Sequence, residues 1–141
     1  MLLLAAALAA LILWLTFEKY RHIKNLENIP IRIHVNGTRG KSTVTRLIAA
    51  GLRGAGIKVL AKTTGTSPRE IFEDGSEAEI RRRGRATVRE QIRFIAQGAR
   101  RGAEAIVIES MAVRPEIQWV SEHHIVRSHI GVITNIREDH G

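Results

Sequence analysis

A single stretch limits the folds open to this chain. Gly37-Thr38-Arg39-Gly40-Lys41-Ser42-Thr43 lies between an alternating run, Ile31-Arg32-Ile33-His34-Val35, and a segment with helical apolar spacing, Val44, Leu47, Ile48 and Leu52. Alternation at period two predicts a strand, and spacing of three and four predicts an amphipathic helix. A glycine-punctuated turn from strand to helix is the context that a phosphate-binding loop requires. Glycines let backbone N–H groups turn toward phosphate oxygens, and the helix N-terminus adds a partial positive charge. Lys41 would reach the β- and γ-phosphates, and Ser42 would offer its hydroxyl to Mg²⁺. Gly37, Thr38, Arg39, Gly40, Lys41, Ser42 and Thr43 are the candidate phosphate-binding residues. The loop is shorter than Gly-x-x-x-x-Gly-Lys-Ser/Thr, because Val35 stands where that pattern has its first glycine. The plain alternative is a glycine-rich turn with a solvated lysine.

The flanking pattern extends this reading to the fold. Gly54 and Gly56 stop the helix, and Ile57 to Ala61 predicts a second strand. Residues 62–86 are rich in Thr, Gly, Ser, Pro and charge, which predicts a long loop or insertion. Val88, Ile92, Ile95 and Ala99 mark another helix. Ala105 to Ile108 is an apolar strand ending at Glu109, Pro115 opens a short helix through Val120, and Ile130 to Thr134 is a last strand. Strands alternating with helices predict an α/β protein with a mostly parallel sheet and flanking helices. There is no internal repeat.

Charge divides the chain in two. No charged residue occurs from Met1 to Phe17, and all 22 basic and 14 acidic residues follow. Leu2 to Phe17 is short for a spanning helix, which needs about 20 apolar residues and at least about 17. Trp14, Phe17 and Tyr20 are aromatic groups at one end, as at a headgroup interface. Lys19, Arg21 and Lys24 follow, and no Lys or Arg precedes, so the positive-inside rule puts the N-terminus outside and the rest in the cytoplasm. A cleaved signal peptide would need a basic leading region and a small-residue site, where Glu18-Lys19-Tyr20-Arg21 stands instead. The expected organisation is a single-pass cell-membrane anchor over 1–17, a juxtamembrane linker over 18–30 and an α/β domain from 31 to 141.

Other classes are excluded by composition. The 44% hydrophobic content is too high for a disordered chain. Zero cysteines exclude a disulfide scaffold, a thiolate zinc site and a cysteine nucleophile. The net charge of +8 implies an acidic partner. With 4% aromatic residues and no recognised module, nucleic acid is not the expected one.

Two further strand ends carry chemistry. Glu109 closes Ala105-Ile106-Val107-Ile108, and ligands of open α/β sheets bind beyond such carboxyl ends. A carboxylate there can hold Mg²⁺ that bridges phosphates, although a strand-end Glu is also common without that role. Thr134-Asn135-Ile136-Arg137-Glu138-Asp139-His140 repeats the logic at the last strand. His140 can be a metal ligand or a surface residue, and spacing alone leaves both open.

Gly-Thr-x-Gly-Lys-Ser-Thr, a strand-end Glu-Ser and Thr-Asn-Ile-x-x-Asp-His, in that order, resemble the ATP-binding central domain of Mur-type amide ligases. That superfamily includes the peptidoglycan amino-acid ligases and folylpolyglutamate synthase. Arg39, the stretch Glu-Ser-Met-Ala-Val-Arg-Pro-Glu at 109–116 and the apolar N-terminus are most similar to the poly-γ-glutamate synthase ligase family. The resemblance covers about residues 30–141. It implies ATP and Mg²⁺ (or Mn²⁺), with a glutamate γ-carboxylate activated as an acyl phosphate and attacked by the amine of the next glutamate. Lys41 and His140 are the implied catalytic residues, and Ser42, Glu109 and His140 the implied metal ligands. Asn135 and Asp139 would shape their loop, and Thr63-Thr64-Gly65-Thr66 would lie beside the nucleotide. Implied partners are glutamate, poly-γ-glutamate, small membrane subunits of a synthase complex and membrane lipid. The family continues with a lysine and a C-terminal domain, so residues 1–141 are expected to be an incomplete, inactive N-terminal part.

A different class also joins a phosphate loop to a basic surface: a membrane-tethered regulatory or assembly ATPase, which needs neither Glu109-Ser110 nor His140. A basic membrane scaffold with a vestigial loop is a third reading. Arg81, Arg82, Arg83, Arg85, Arg89, Arg93, Arg100 and Arg101 face only Glu90 as an acid between 81 and 101. Arg85, Arg89 and Arg93 would share one helix face, either as a solvated surface or for anionic lipid or a growing polyglutamate chain. His34 is expected to be packed inside its strand, and His123, His124 and His129 form no convincing zinc pattern.

Overall fold

The computed structural model describes residues 1–82, 84, 86–111 and 114–136. Six strands form one sheet: β1 (Ile31–Asn36), β2 (Val59–Lys62), β3 (Arg69–Ile71), β4 (Glu77–Glu79), β5 (Ala105–Glu109) and β6 (Ile130–Ile133). Their order is β4-β3-β2-β5-β1-β6. β2, β5, β1 and β6 run parallel, while β3 and β4 add an antiparallel edge. The expected α/β architecture is therefore present.

The register fixes what shares an edge. Val35 pairs with Glu109, Lys62 with Ile108, and Asn36 with Ile133. The segments after β1, β2, β5 and β6 consequently leave the sheet at one carboxyl edge. β5 is buried at every position, as a central parallel strand covered on both faces must be.

Alternation along β5 sends side chains into two cores. Ala105 and Val107 join Ile33, Val35, Val59 and Ala61 under α2 (Lys41–Gly54), where Val44, Ile48 and Leu52 close the layer. Ile106 and Ile108 join Leu60, Phe94 and Ile95 on the opposite face, covered by α3 (Val88–Arg101). Phe94 is fully buried, and burying such a ring stabilises by about 1.5–3 kcal/mol. Leu26 and Ile29 enter the same core, so the chain before β1 is part of the fold.

That involvement changes the reading of residues 18–30. α1 spans Leu2–Glu27 without a break, and its last turns dock on α3. Glu18, Lys19, Arg21 and Lys24 are good helix formers, no glycine or proline intervenes before Pro30, and Lys24 pairs with Glu27 at 3.2 Å. The segment expected to be a linker is thus mainly helix. Residues 2–17 touch no core and remain apolar all round. α1 is long and apolar enough to cross a membrane.

Two other segments differ from expectation. Residues 62–86 contain the β3–β4 hairpin, turned at Phe72–Ser76 with Gly75 at φ +87°. Arg69-Glu70-Ile71 and Glu77-Ala78-Glu79 are too short and too charged to show an apolar period, and Ile71 alone among them is buried. The predicted short helix is α4 (Pro115–Val120), but a π-helical turn, Ser121–Val126, continues it. Arg127, left-handed at φ 47°, ends that turn.

Candidate functional site

β1 delivers the chain to the carboxyl edge at Asn36. Its side-chain Oδ1 accepts the Gly37 N–H at 2.8 Å, and its Nδ2 donates to Gln118 Oε1 at 3.1 Å. Gly37 has φ +128°, and a Cβ there would lie 2.1 Å from Thr134 Oγ1. Gly40 precedes α2 at φ +80°. Both glycines therefore answer to backbone geometry that side chains resist.

The loop is held by the segment after β6. The Thr38 N–H donates to the Asn135 carbonyl at 3.2 Å, and the Arg39 N–H to Asn135 Oδ1 at 3.1 Å. The Arg39 carbonyl accepts from Asn135 Nδ2 at 3.0 Å and from Thr134 Oγ1 at 2.7 Å. The family resemblance implies that Asn135 shapes its own loop; it also braces the Gly37–Gly40 loop. Lys41 folds over that loop, its ammonium donating to the carbonyls of Gly37 at 2.7 Å and Thr38 at 3.3 Å. Thr43 is exposed in the first turn of α2.

Ser42 and Glu109 meet at the base of the loop. Ser42 Oγ donates to Glu109 Oε2 at 2.7 Å, and the Thr64 N–H donates to the same oxygen at 2.9 Å. Glu109 is only 3% exposed. Thr64 Oγ1 also donates to the Ser110 carbonyl at 3.2 Å. A Cβ on Gly65 would lie 3.3 Å from Ser42 Oγ, so the threonine loop closes tightly over the serine. A hydroxyl and a carboxylate are the hard oxygen donors that Mg²⁺ takes, keeping waters and phosphate oxygens for its other positions. The residues fit such an ion, and the loop amides and Lys41 fit the phosphates it would bridge. His140 and Asp139 lie outside the described residues. Among the described residues no three His, Asp or Glu side chains cluster as a metal site.

Behind the threonine loop lies a charged network that no sequence pattern revealed. Lys62, completely buried at the end of β2, places Nζ 2.7 Å from Glu90 Oε1. Arg82 grips Glu90 with two bonds, Nε to Oε2 at 2.8 Å and NH2 to Oε1 at 2.6 Å, and also donates to the Thr64 carbonyl at 3.3 Å. Burial pushes the Lys62 ammonium below the ordinary lysine range, against the pull of Glu90. Burial pushes the Glu90 carboxyl up, but its bonds from Arg82 and Lys62 hold it below the usual carboxylate range. The only sequence hint was a lysine closing an apolar strand.

The histidines play structural parts here. His34 is buried in β1, with Nδ1 2.8 Å from Glu122 Oε2. His123 stacks on Trp119 with ring centroids 4.6 Å apart, and His124 meets it edge-on at 5.3 Å. His129 Nδ1 accepts the Arg32 N–H at 3.2 Å. The arginine run divides as well. Arg82 belongs to the Glu90 network, and Arg101 pairs with Glu73 at 3.0 Å and lies over the Phe72 ring. Arg89, Arg93 and Arg100 are exposed on α3, while Arg83 and Arg85 lie outside the described residues.

A glycine-punctuated loop after a central parallel strand, joined through Ser42 to a buried glutamate on the neighbouring strand, is an arrangement that suits an α/β domain binding a nucleotide. The Mur ligase middle domain matches residues 35–141, and the chain belongs to that family. It is 43% identical over 142 residues to PGA synthase CapB of Bacillus subtilis (strain 168), covering 99% of this chain and 36% of that protein. It is 42% identical over 132 residues to Capsule biosynthesis protein CapB of Bacillus anthracis, covering 92% of this chain and 28% of that protein. The chain thus spans about a third of the length of these relatives.

Proposed function

We propose that this chain supplies the nucleotide-binding part of a membrane-anchored, ATP-dependent amide ligase that makes poly-γ-glutamate. The observation that carries the reading is the Ser42–Glu109 pair beneath the Lys41 loop. The similarity to the two CapB proteins directs it to glutamate polymerisation. Residues 1–17 would be the anchor, with the N-terminus outside, and residues 31–141 the cytoplasmic part of the ATP-binding domain. Partners would be glutamate, the polymer and other membrane subunits of the synthase.

In this reading the loop amides from Gly37 to Ser42 orient the β- and γ-phosphates, and Lys41 leaves the loop carbonyls to meet their charge. Ser42 and Glu109 would hold Mg²⁺, with His140 as ligand to a second ion. Bound Mg²⁺ supplies positive charge where the transferring oxygens become more negative. A glutamate γ-carboxylate oxygen attacks the γ-phosphorus, ADP leaves, and an acyl phosphate forms. The amine of the next glutamate attacks that carbonyl, and the tetrahedral species expels phosphate to give the amide. Once there, Lys41 acts by electrostatic stabilisation of the transferring oxygens, usually the largest single contribution in such catalysis.

The test uses membranes expressing the whole open reading frame, supplied with ATP, Mg²⁺ and glutamate. ADP and γ-linked polymer are followed together, with Lys41→Ala as the control. Polymer that requires both glutamate and Lys41 is the expected result. ATP turnover indifferent to glutamate, without polymer, would move the assignment to a membrane-tethered regulatory or assembly ATPase.

A further inference from the structure

A recess lined by neither Ser42 nor Glu109 lies where α1 docks on α3. It is an open groove of about 980 Å³, lined by α1 from Leu15 to Asn25, by α3 from Arg89 to Arg100, and by the π-helical turn. That volume is at the upper end of clefts that hold small ligands, about 300–1,000 Å³. Its wall has two characters. Leu15, Ile23, Ile92 and Ile125 are apolar, whereas Lys19, Arg89, Arg93 and Arg100 are cationic. Glu18 is the carboxylate among the lining residues. Among the described residues, no carboxylate forms an ion pair with Arg89, Arg93 or Arg100. These three arginines share one face of α3, at spacings of four and seven.

The depth of the groove matches this division. If α1 crosses the bilayer, Phe17 ends its apolar part and Arg21 lies four residues on, about 6 Å further along the axis. The polar layer on each side of the hydrocarbon is about 5–7 Å thick. Leu15 then faces acyl chains while Lys19 and the α3 arginines face phosphates. A polyglutamate strand is charged along its whole length and would leave the Leu15–Ile92 wall unmatched. An anionic amphiphile matches both walls, and basic pockets beside membrane helices attract such headgroups.

We propose that the α1–α3 groove is a binding site for one anionic phospholipid, its phosphate held by Arg89, Arg93 and Lys19 and the start of an acyl chain lying against Leu15 and Ile92. The site rests on α1 crossing the bilayer and not on the ligase assignment. α3 carries Arg89 on this groove and Glu90 in the network behind the threonine loop, so an occupied groove braces the helix that supports the candidate active site.

The test is native mass spectrometry of the detergent-purified protein, apolar helix included, titrated with phosphatidylglycerol or phosphatidylcholine of the same acyl chains. No ATP or glutamate is present, so the outcome is separate from that of the ligase assay. One phosphatidylglycerol should bind at least tenfold more tightly than phosphatidylcholine. Arg89→Gln/Arg93→Gln should remove that preference, and Ile92→Ser should weaken both lipids, with the circular dichroism of the parent retained. Equal binding of the two lipids, or a double variant indistinguishable from the parent, would overturn the proposal. So would displacement by soluble glycerol phosphate or by a γ-glutamate oligomer at the lipid's own concentration, since either would need no acyl chain.

Discussion

Gly37 and Thr134 approach so closely that a methyl group on Gly37 would stand 2.1 Å from Thr134 Oγ1. That same hydroxyl donates to the Arg39 carbonyl, so the glycine's missing side chain is what lets the β6 segment grip the Gly37–Gly40 loop. Gly37 also sits at φ +128°, where an L side chain is strained. Gly37→Ala should therefore cost about 1–3 kcal/mol of stability and move the loop off Thr134. ATP affinity, measured by calorimetry on the detergent-purified protein, should fall by more than about tenfold, since each 1.4 kcal/mol is a factor of ten. Parent-like affinity in this variant would show that the contact does not shape the loop.

Asn135 offers a gentler probe of the same grip. Its side chain accepts from the Arg39 N–H and donates to the Arg39 carbonyl. Two such bonds contribute about 1 kcal/mol each to stability, so Asn135→Ala should lower the melting temperature by several degrees and, as the loop loosens, weaken ATP binding by up to about thirtyfold. Asn135→Asp keeps the acceptor but sets an oxygen against the Arg39 carbonyl, and should be no better than alanine. Rescue by aspartate would mean that the Arg39 N–H bond alone matters.

Ser42 and Glu109 should behave as one unit toward Mg²⁺. Ser42→Ala removes the donor of a 2.7 Å hydrogen bond and one oxygen donor of the candidate metal site, and Glu109→Gln removes the negative charge of the other. Each should raise the Mg²⁺ concentration needed for half-maximal ATP binding. The double variant should fall short of the sum by about 0.5–3 kcal/mol, the usual coupling of residues in contact. Additive losses would separate the two residues functionally.

Much of this arrangement could be read locally, and the remainder could not for physical reasons. β1, β5, α2 and α3 have apolar periods, and Gly37–Ser42 and Glu109 lie where those periods end. The extension of α1 to Glu27 was obscured because polar helix formers are equally at home in a linker. The β3–β4 hairpin gains its place by pairing with β2, with Ile71 its only buried side chain. Asn135 with Arg39, and Lys62 with Glu90, join residues far apart in sequence, and such contacts leave no local periodicity.

The Lys62–Glu90 pair gives the protein a pH dependence whose sign follows from its two directions. Glu90 titrates below its ordinary value, so its stabilising contribution is complete above the unfolded carboxylate range, near 4.3, and is lost as pH falls through the lower folded value. Glu122, held low by Ser128 and His34 against burial, adds to the same acid-side loss. Lys62 has the opposite dependence on its partner. In Glu90→Gln it keeps its burial but loses the group that supports its charge, although Glu70 still favours the ammonium. Leaving a buried charge without its partner costs about 3 kcal/mol. A lysine whose folded value is depressed holds fewer protons than the unfolded chain between that value and about 10.4, so stability rises with pH across this window. Urea unfolding from pH 2 to pH 10 should therefore show the parent losing stability below about pH 4.3. Glu90→Gln should be weaker at neutrality and should recover as the solution becomes alkaline. A variant with a flat alkaline limb would mean that Lys62 leaves the interior when Glu90 is gone.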